Sequence, residues 1–181
     1  LTAGAVILAT GARPRLFPGV TVDGEKVITS REALELRDLP ESAIVIGAGP
    51  IGLEFATIWR SYGTKVTVVE MLDQVLPAED PEAAKELSRY LRRMRIKAMT
   101  STRVQEVKAT DDGVVVDVEG PKGEKTLEAD VALVAIGVQP NSKDLGLEDV
   151  GVARDKGWVK VDDHMRTSVP NVYAIGDLNG T

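Results

Sequence analysis

Gly47, Gly49 and Gly52 stand at G-x-G-x-x-G spacing, after an apolar run at 43–46 and at the head of a helical pattern. Residues without side chains at that spacing suit one kind of chemistry, the close approach of bare main chain to a phosphate. Gly47 permits the tight turn, Gly49 leaves the backbone open to a pyrophosphate, and Gly52 allows the helix to pack close on its strand. Pro50 and Ile51 head that helix, where unpaired N–H groups and the positive end of the helix dipole offset anionic charge without a lysine. Glu70 ends the next strand, about 20 residues on, where a carboxylate can accept from both adenosine ribose hydroxyls and repel a 2′-phosphate. Met71 and Leu72 follow with no arginine, so the pattern predicts NAD rather than NADP. The plainer alternatives are a bare strand-to-helix turn and a solvated strand-end glutamate; the order strand, loop, helix, strand, acid favours the dinucleotide site.

The elements that must position these residues are legible in the periodicity. Leu53, Phe55, Ala56, Ile58 and Trp59 mark the apolar face of a helix that stops at Tyr62 and Gly63, and 65–69 is a β-branched strand. Glu54 falls in the first turn of that helix, where a carboxylate complements the dipole. Asp80 and Pro81 form a cap and first-turn proline for an amphipathic helix to about Arg95. Arg89, Arg92, Arg93 and Arg95 crowd its end, most simply as a solvated face. Before the glycine motif lie a strand at 5–9, a proline- and glycine-rich connection, and a short helix near 30–37. After it, 96–100 reads as a third parallel strand. Three alternating segments at 104–108, 114–119 and 126–129 then read as an antiparallel meander, and 131–136 returns as a fourth parallel strand. The expected fold class is α/β, a Rossmann-like parallel sheet with a three-stranded antiparallel meander.

Length and composition set outer bounds. The 181 residues suit one and a half ordinary domains, and the net charge of −6 disfavours a nucleic-acid surface. No apolar run approaches the roughly 20 residues needed to cross a bilayer, and no signal-peptide pattern opens the chain, so the expected location is cytoplasmic. Cysteine is absent. Within these residues that excludes disulfides, thiol redox chemistry and a cysteine-based metal site, and no metal is expected. The chain has no initiator methionine, opens inside a strand and stops after a strand-Gly-Asp signal, so it is expected to be a piece of a longer polypeptide.

Six segments in order, ILATGARP at 7–14, IGAGPIGLE at 46–54, VTVVE at 66–70, ALVAIGVQPN at 132–141, LGLEDVGV at 145–152 and TSVPNVYAIGD at 167–177, carry a resemblance across nearly the whole chain. The sequence resembles the flavin-dependent pyridine nucleotide-disulfide oxidoreductases, and among them most resembles the members that oxidise dihydrolipoamide. The resemblance implies the FAD/NAD(P)-binding fold, with an NAD domain inserted into an FAD domain: 1–42 and 141–181 as FAD-domain remnants, 43–140 as the NAD-binding domain. It implies that Thr10, Gly11, Gly176 and Asp177 face FAD, and that Ala135 and Gly137 line the NAD site opposite Gly47, Gly49, Pro50, Ile51 and Gly52. It places Glu54 beside the nicotinamide and Glu70 on the ribose.

The resemblance further implies electron transfer from dihydrolipoamide through a disulfide and FAD to NAD. The redox cysteines and catalytic histidine lie outside this chain, which leaves no catalytic residue of its own and an inactive fragment. A homodimer, possible membership of a 2-oxo acid dehydrogenase complex, and no nucleic-acid or membrane partner complete the expectation. Val138 departs from the family, where many members carry arginine, and His164 sits in a polar segment unsuited to the catalytic role. An NADH oxidase, a mercuric or glutathione reductase-like enzyme, and a free-standing nucleotide-binding module stand as alternatives.

Overall fold

The computed structural model describes residues 2–180; Leu1 and Thr181, the outer limits of the two flanks, lie outside the described residues. From the amino end, β1 (Val6–Leu8) and β2 (Ala12–Pro14) precede β3 (Val27–Ile28) and helix α1 (Ser30–Glu35). The glycine loop joins β4 (Ser42–Ile46) to α2 (Pro50–Ser61), and β5 (Lys65–Val69), α3 (Pro81–Arg93) and β6 (Lys97–Met99) follow. Three longer strands come next, β7 (Arg103–Thr110), β8 (Gly113–Gly120) and β9 (Gly123–Ala129), and then β10 (Val131–Val134). The last elements are β11 (Val138–Pro140), β12 (Arg154–Asp155), β13 (Trp158–Val159), β14 (Val172–Ala174) and a 3-10 turn, Gly176–Leu178.

The chain divides into two compact units, one of residues 14–137 and one of residues 1–13 with 138–181. In the larger unit a five-stranded parallel sheet has the order β3-β10-β4-β5-β6, and β7-β8-β9 form an antiparallel meander. The predicted α/β class with a meander is therefore the observed one. Alternation along the central strands explains why the sheet is covered on both faces. Ala43, Val45, Val66, Val68, Val131 and Leu133 share a core with Leu53, Ala56 and Trp59 of α2 and Leu91 of α3. Ile44, Ile46, Val69, Ala132 and Val134 pack instead with Val114, Val116, Val118 and Leu127 of the meander.

Several details depart from the expectation. Residues 14–42, grouped by sequence with the amino-terminal flank, make their contacts in the larger unit because β3 extends its sheet, Ala132 pairing with Val27 and Leu133 with Ile28. Strand β3 is too short to show a period. Ile58 is 51% exposed, so α2 buries a narrower stripe than its composition indicates: Gly52, Leu53, Ala56 and Trp59. Helix α3 ends two residues early, with Met94 as C-cap and Arg95 at φ +61, while Asp80 caps its start as predicted, accepting from Glu82 and Ala83 N–H. No helix among the described residues is long and apolar enough to cross a membrane.

The smaller unit holds three two-stranded sheets, β1 with β14, β2 with β11 and β12 with β13, around Leu147, Val152, Val159, Ala174 and Leu178. Strands β1 and β14 run parallel, with Leu8 level with Ala174.

Two substitutions test this packing in urea unfolding. Leu133 has no exposed surface, and Leu133→Ala should cost about 2–5 kcal/mol. A Cβ on Gly52 would lie 2.2 Å from the Gly47 carbonyl oxygen and 3.2 Å from the Val45 side chain. Gly52→Ala should therefore destabilise by at least about 1–3 kcal/mol, since backbone cannot move aside cheaply; a wild-type midpoint would contradict the packing.

Candidate functional site

Three strand ends meet at the head of the sheet. Ile46 is level with Val69 on one side and Val134 on the other, so the next residues, Gly47, Glu70 and Ala135, emerge side by side at the carboxyl ends of adjacent parallel strands. In open α/β sheets such a crevice is where ligands bind. The Gly47 N–H donates to the Val69 carbonyl (2.8 Å) and the Ala135 N–H to the Ile46 carbonyl (2.8 Å), which holds the emerging chains level.

The glycines do different physical work. Gly47 has φ +105°, and a Cβ there would lie 2.4 Å from the Ala135 carbonyl oxygen, so both conformation and crowding exclude a side chain. Gly49 is the N-cap of α2 in an extended conformation, with no side-chain cap, and Pro50 occupies the first turn. A Cβ on Gly49 would meet nothing within 4 Å. The fold thus tolerates a side chain at Gly49, and packing does not require bare backbone there. Gly52 is buried and spends its missing side chain on contact with the loop carbonyl beneath it.

Glu70 is 9% exposed and its carboxylate is held at both oxygens. Oε2 accepts from the Ala48 N–H at 2.7 Å and Oε1 from the Leu72 N–H at 2.9 Å. Its backbone is fixed too, its N–H donating to the Met99 carbonyl (2.8 Å) and its carbonyl accepting from the Thr102 N–H (2.9 Å). A carboxylate oxygen has two lone pairs, so each still has acceptor capacity for a ligand hydroxyl.

A cleft of about 710 Å³ opens over these groups, lined by Gly47, Gly49, Glu70, Ala135 and Gly137 together with Met71, Leu72 and Val104. Five of the predicted NAD-side residues therefore share one cavity. Gly137 lies at φ +103°, a Cβ there would meet nothing within 4 Å, and its carbonyl accepts from the Arg15 N–H at 2.9 Å. Pro50, Ile51 and Gly52 head α2 beside the cleft without lining it. Glu54 corrects the dipole expectation: with Gly49 as cap it lies beyond the first turn, which carries no acid, and it is solvent-exposed.

Sequence reading missed Arg15 and Arg103, both of which line the cleft. Neither has a local signal; Arg15 lies in the proline-rich connection and Arg103 opens β7. The absence of arginine just after Glu70 did not make the cleft free of cations. Ala48 and Leu76 were missed as well, and their pairing, Leu76 N–H to the Ala48 carbonyl at 2.8 Å, joins the loop after β5 to the glycine loop.

In the smaller unit the structure brings the four residues expected to face FAD to one end. Thr10 and Gly11 follow β1, Gly176 and Asp177 follow β14, and the Ile175 N–H donates to the Leu8 carbonyl at 3.0 Å. The Thr10 hydroxyl donates to the Asn141 carbonyl (2.8 Å), the Asn141 amide donates to the Thr10 carbonyl (3.0 Å), and Gly11 and Gly176 have φ +67° and +68°. Asp177 is exposed in the 3-10 turn, and His164 is exposed in the segment where its N–H donates to Asp162.

Known proteins resemble the chain over almost its whole length. It is 42% identical to dihydrolipoyl dehydrogenase of Chlorobaculum parvum over 99% of its own residues and 39% of the relative's. Among solved structures it matches LpdA of Mycobacterium tuberculosis with a TM-score of 0.87 and 38% identity, covering 98% of this chain and 38% of that one. The HOCl-induced flavoprotein disulfide reductase RclA of Escherichia coli matches with a TM-score of 0.87 and 29% identity, over 98% and 41% of the two chains. The chain thus spans about two-fifths of the length of these relatives. The family profile of the pyridine nucleotide-disulphide oxidoreductases matches residues 1–181, and with the glycine loop, the strand-end glutamate and the meander all in place, the chain belongs to that family.

Proposed function

We propose that the cleft at the head of β4 binds NAD, and that this chain is the NAD-binding portion of a dihydrolipoyl dehydrogenase. The observation that carries the reading is Glu70, buried at the cleft wall with spare acceptor capacity, beside a glycine loop whose Gly49 has open space around it. Main chain at Gly47, Gly49, Ile51 and Gly52, with Pro50 pre-setting the helix start, would hold the pyrophosphate at the α2 N-terminus. Glu70 would accept the ribose hydroxyls, Ala135 and Gly137 would form the opposite wall, and Glu54 would stand at the nicotinamide end. Bound NAD supplies the hydride-accepting ring. The chain's own groups bind and orient it, while Arg15 and Arg103 lower the cost of gathering phosphate charge in the cleft.

Like charges about 4–5 Å apart repel by about 3–4 kcal/mol at an effective dielectric near 20. The arginines offset part of that, so we infer at least about a tenfold preference for NADH over NADPH.

For the whole protein we infer that the NAD-binding domain read from sequence at 43–140 also takes in residues 14–42, which share its sheet, and that the outer flanks 1–13 and 141–181 belong to the FAD domain. Thr10, Gly11, Gly176 and Asp177 would face FAD. Electrons would come from dihydrolipoamide, in a cytoplasmic homodimer able to join a 2-oxo acid dehydrogenase complex. The likeness to RclA favours one second reading, a different flavoprotein disulfide reductase with the same nucleotide site.

Calorimetric titration with NADH and NADPH in parallel tests the cofactor. NADH should bind at least about tenfold more tightly, and equal affinities would end the assignment. Gly49→Ala should melt like the wild type yet weaken NADH by about tenfold or more, because its methyl enters the ligand's space. In the complete protein Glu54→Gln should slow flavin reduction by NADH in stopped flow; an unchanged rate removes Glu54 from the site.

A further inference from the structure

We propose that Glu70 is also the positioning residue of the glycine loop, so that the group choosing between cofactors is the group that holds the phosphate-binding main chain in shape. This rests on the NAD reading above and adds a second task to the same side chain.

Ala48, between Gly47 and Gly49, has no exposed surface. Both its polar groups are held by the chain that follows β5. Its N–H donates to Glu70 Oε2 at 2.7 Å, and its carbonyl accepts from the Leu76 N–H at 2.8 Å. The tether is itself anchored, since Glu70 Oε1 accepts from the Leu72 N–H at 2.9 Å and the Leu72 carbonyl accepts from the Ser101 N–H at 2.7 Å. Leu76 and Ser101 both lie in the left-handed region, at φ +46° and +49°. Side chains adopt that conformation only where surrounding bonds over-determine it. Glu70 is thus the side-chain half of a two-point clamp on Ala48. Removing it leaves a buried N–H unpartnered at the centre of the loop.

A glutamate acting only on the ribose and a glutamate that also holds the loop differ in what Glu70→Ala does to the glycine loop. In both cases the substitution lifts the repulsion of a 2′-phosphate and removes an acceptor for the ribose. Only in the second does the Ala48 N–H lose its partner and the loop loosen. The test uses the complete protein, with NADH and NADPH titrations and amide hydrogen exchange resolved at Ala48. In Glu70→Ala, Ala48 should exchange at least about tenfold faster, the value of one lost hydrogen bond. Amides of β4 such as Val45 should be unchanged, a localised effect that general destabilisation would not give. NADH should weaken, and the preference for NADH over NADPH should shrink.

An unchanged Ala48 rate, or one that rises no more than that of Val45, would overturn the proposal. Should the variant not fold, the wild type decides: Ala48 exchanging as slowly as Val45 supports the clamp, and exchange at the rate of an exposed turn overturns it. Failure of wild-type protein to bind NADH would sink the cofactor reading alone, because the exchange measurement needs no ligand.

Discussion

Main chain packed directly against main chain at the head of β4 is the constraint on which the rest depends. The Cβ position of Gly47 lies 2.4 Å from the Ala135 carbonyl oxygen, and that of Gly52 lies 2.2 Å from the Gly47 carbonyl oxygen. Three backbone segments therefore stack with no side chain between them. That closeness brings α2 down onto its strand and sets the helix N-terminus at the mouth of the cleft. Gly49, the remaining glycine of the motif, has room around it. Packing requires two of the glycines and not the third, a division that the spacing alone cannot make.

The layers around the sheet make the geometry durable. Central strands buried on both faces are pinned in register, because a shift by one residue would exchange the helix-facing and meander-facing sets. Level strand ends follow, and with them the convergence of Gly47, Glu70 and Ala135. Burying a carboxylate at that junction is costly unless it is hydrogen-bonded. The Ala48 and Leu72 N–H groups meet that need, and the loop gains a fixed point in return.

The smaller unit applies the same logic with fewer strands. Parallel pairing of β1 with β14 sets Thr10–Gly11 beside Gly176–Asp177 although they are far apart in sequence. Isolated strand pairs have little stability of their own. Here the small core of Leu147, Val152, Val159, Ala174 and Leu178 supports the arrangement.

Much of this was legible in the sequence. Strand β5 matches its predicted bounds, β4, α2 and α3 lie within a residue or two, and the meander is present with longer strands. These elements carry strong periods, caps and turn residues within themselves. Strand β3 has only two residues, and its pairing partner is more than 100 positions away, so nothing local marked it. Glu54 reads as a first-turn residue in the sequence because the cap at Gly49 is a backbone conformation and not a residue type.

The residue types alone determined that a glycine loop, a helix start and a strand-end acid would occur in that order, since each depends on local conformational freedom and hydropathy. Only the tertiary structure decided what surrounds them: Arg15 and Arg103 in the cleft, Ala48 clamped by Glu70 and Leu76, Ile58 left in solvent. Those outcomes depend on which distant segments the sheet order brings together, and non-local pairing leaves no period in the chain.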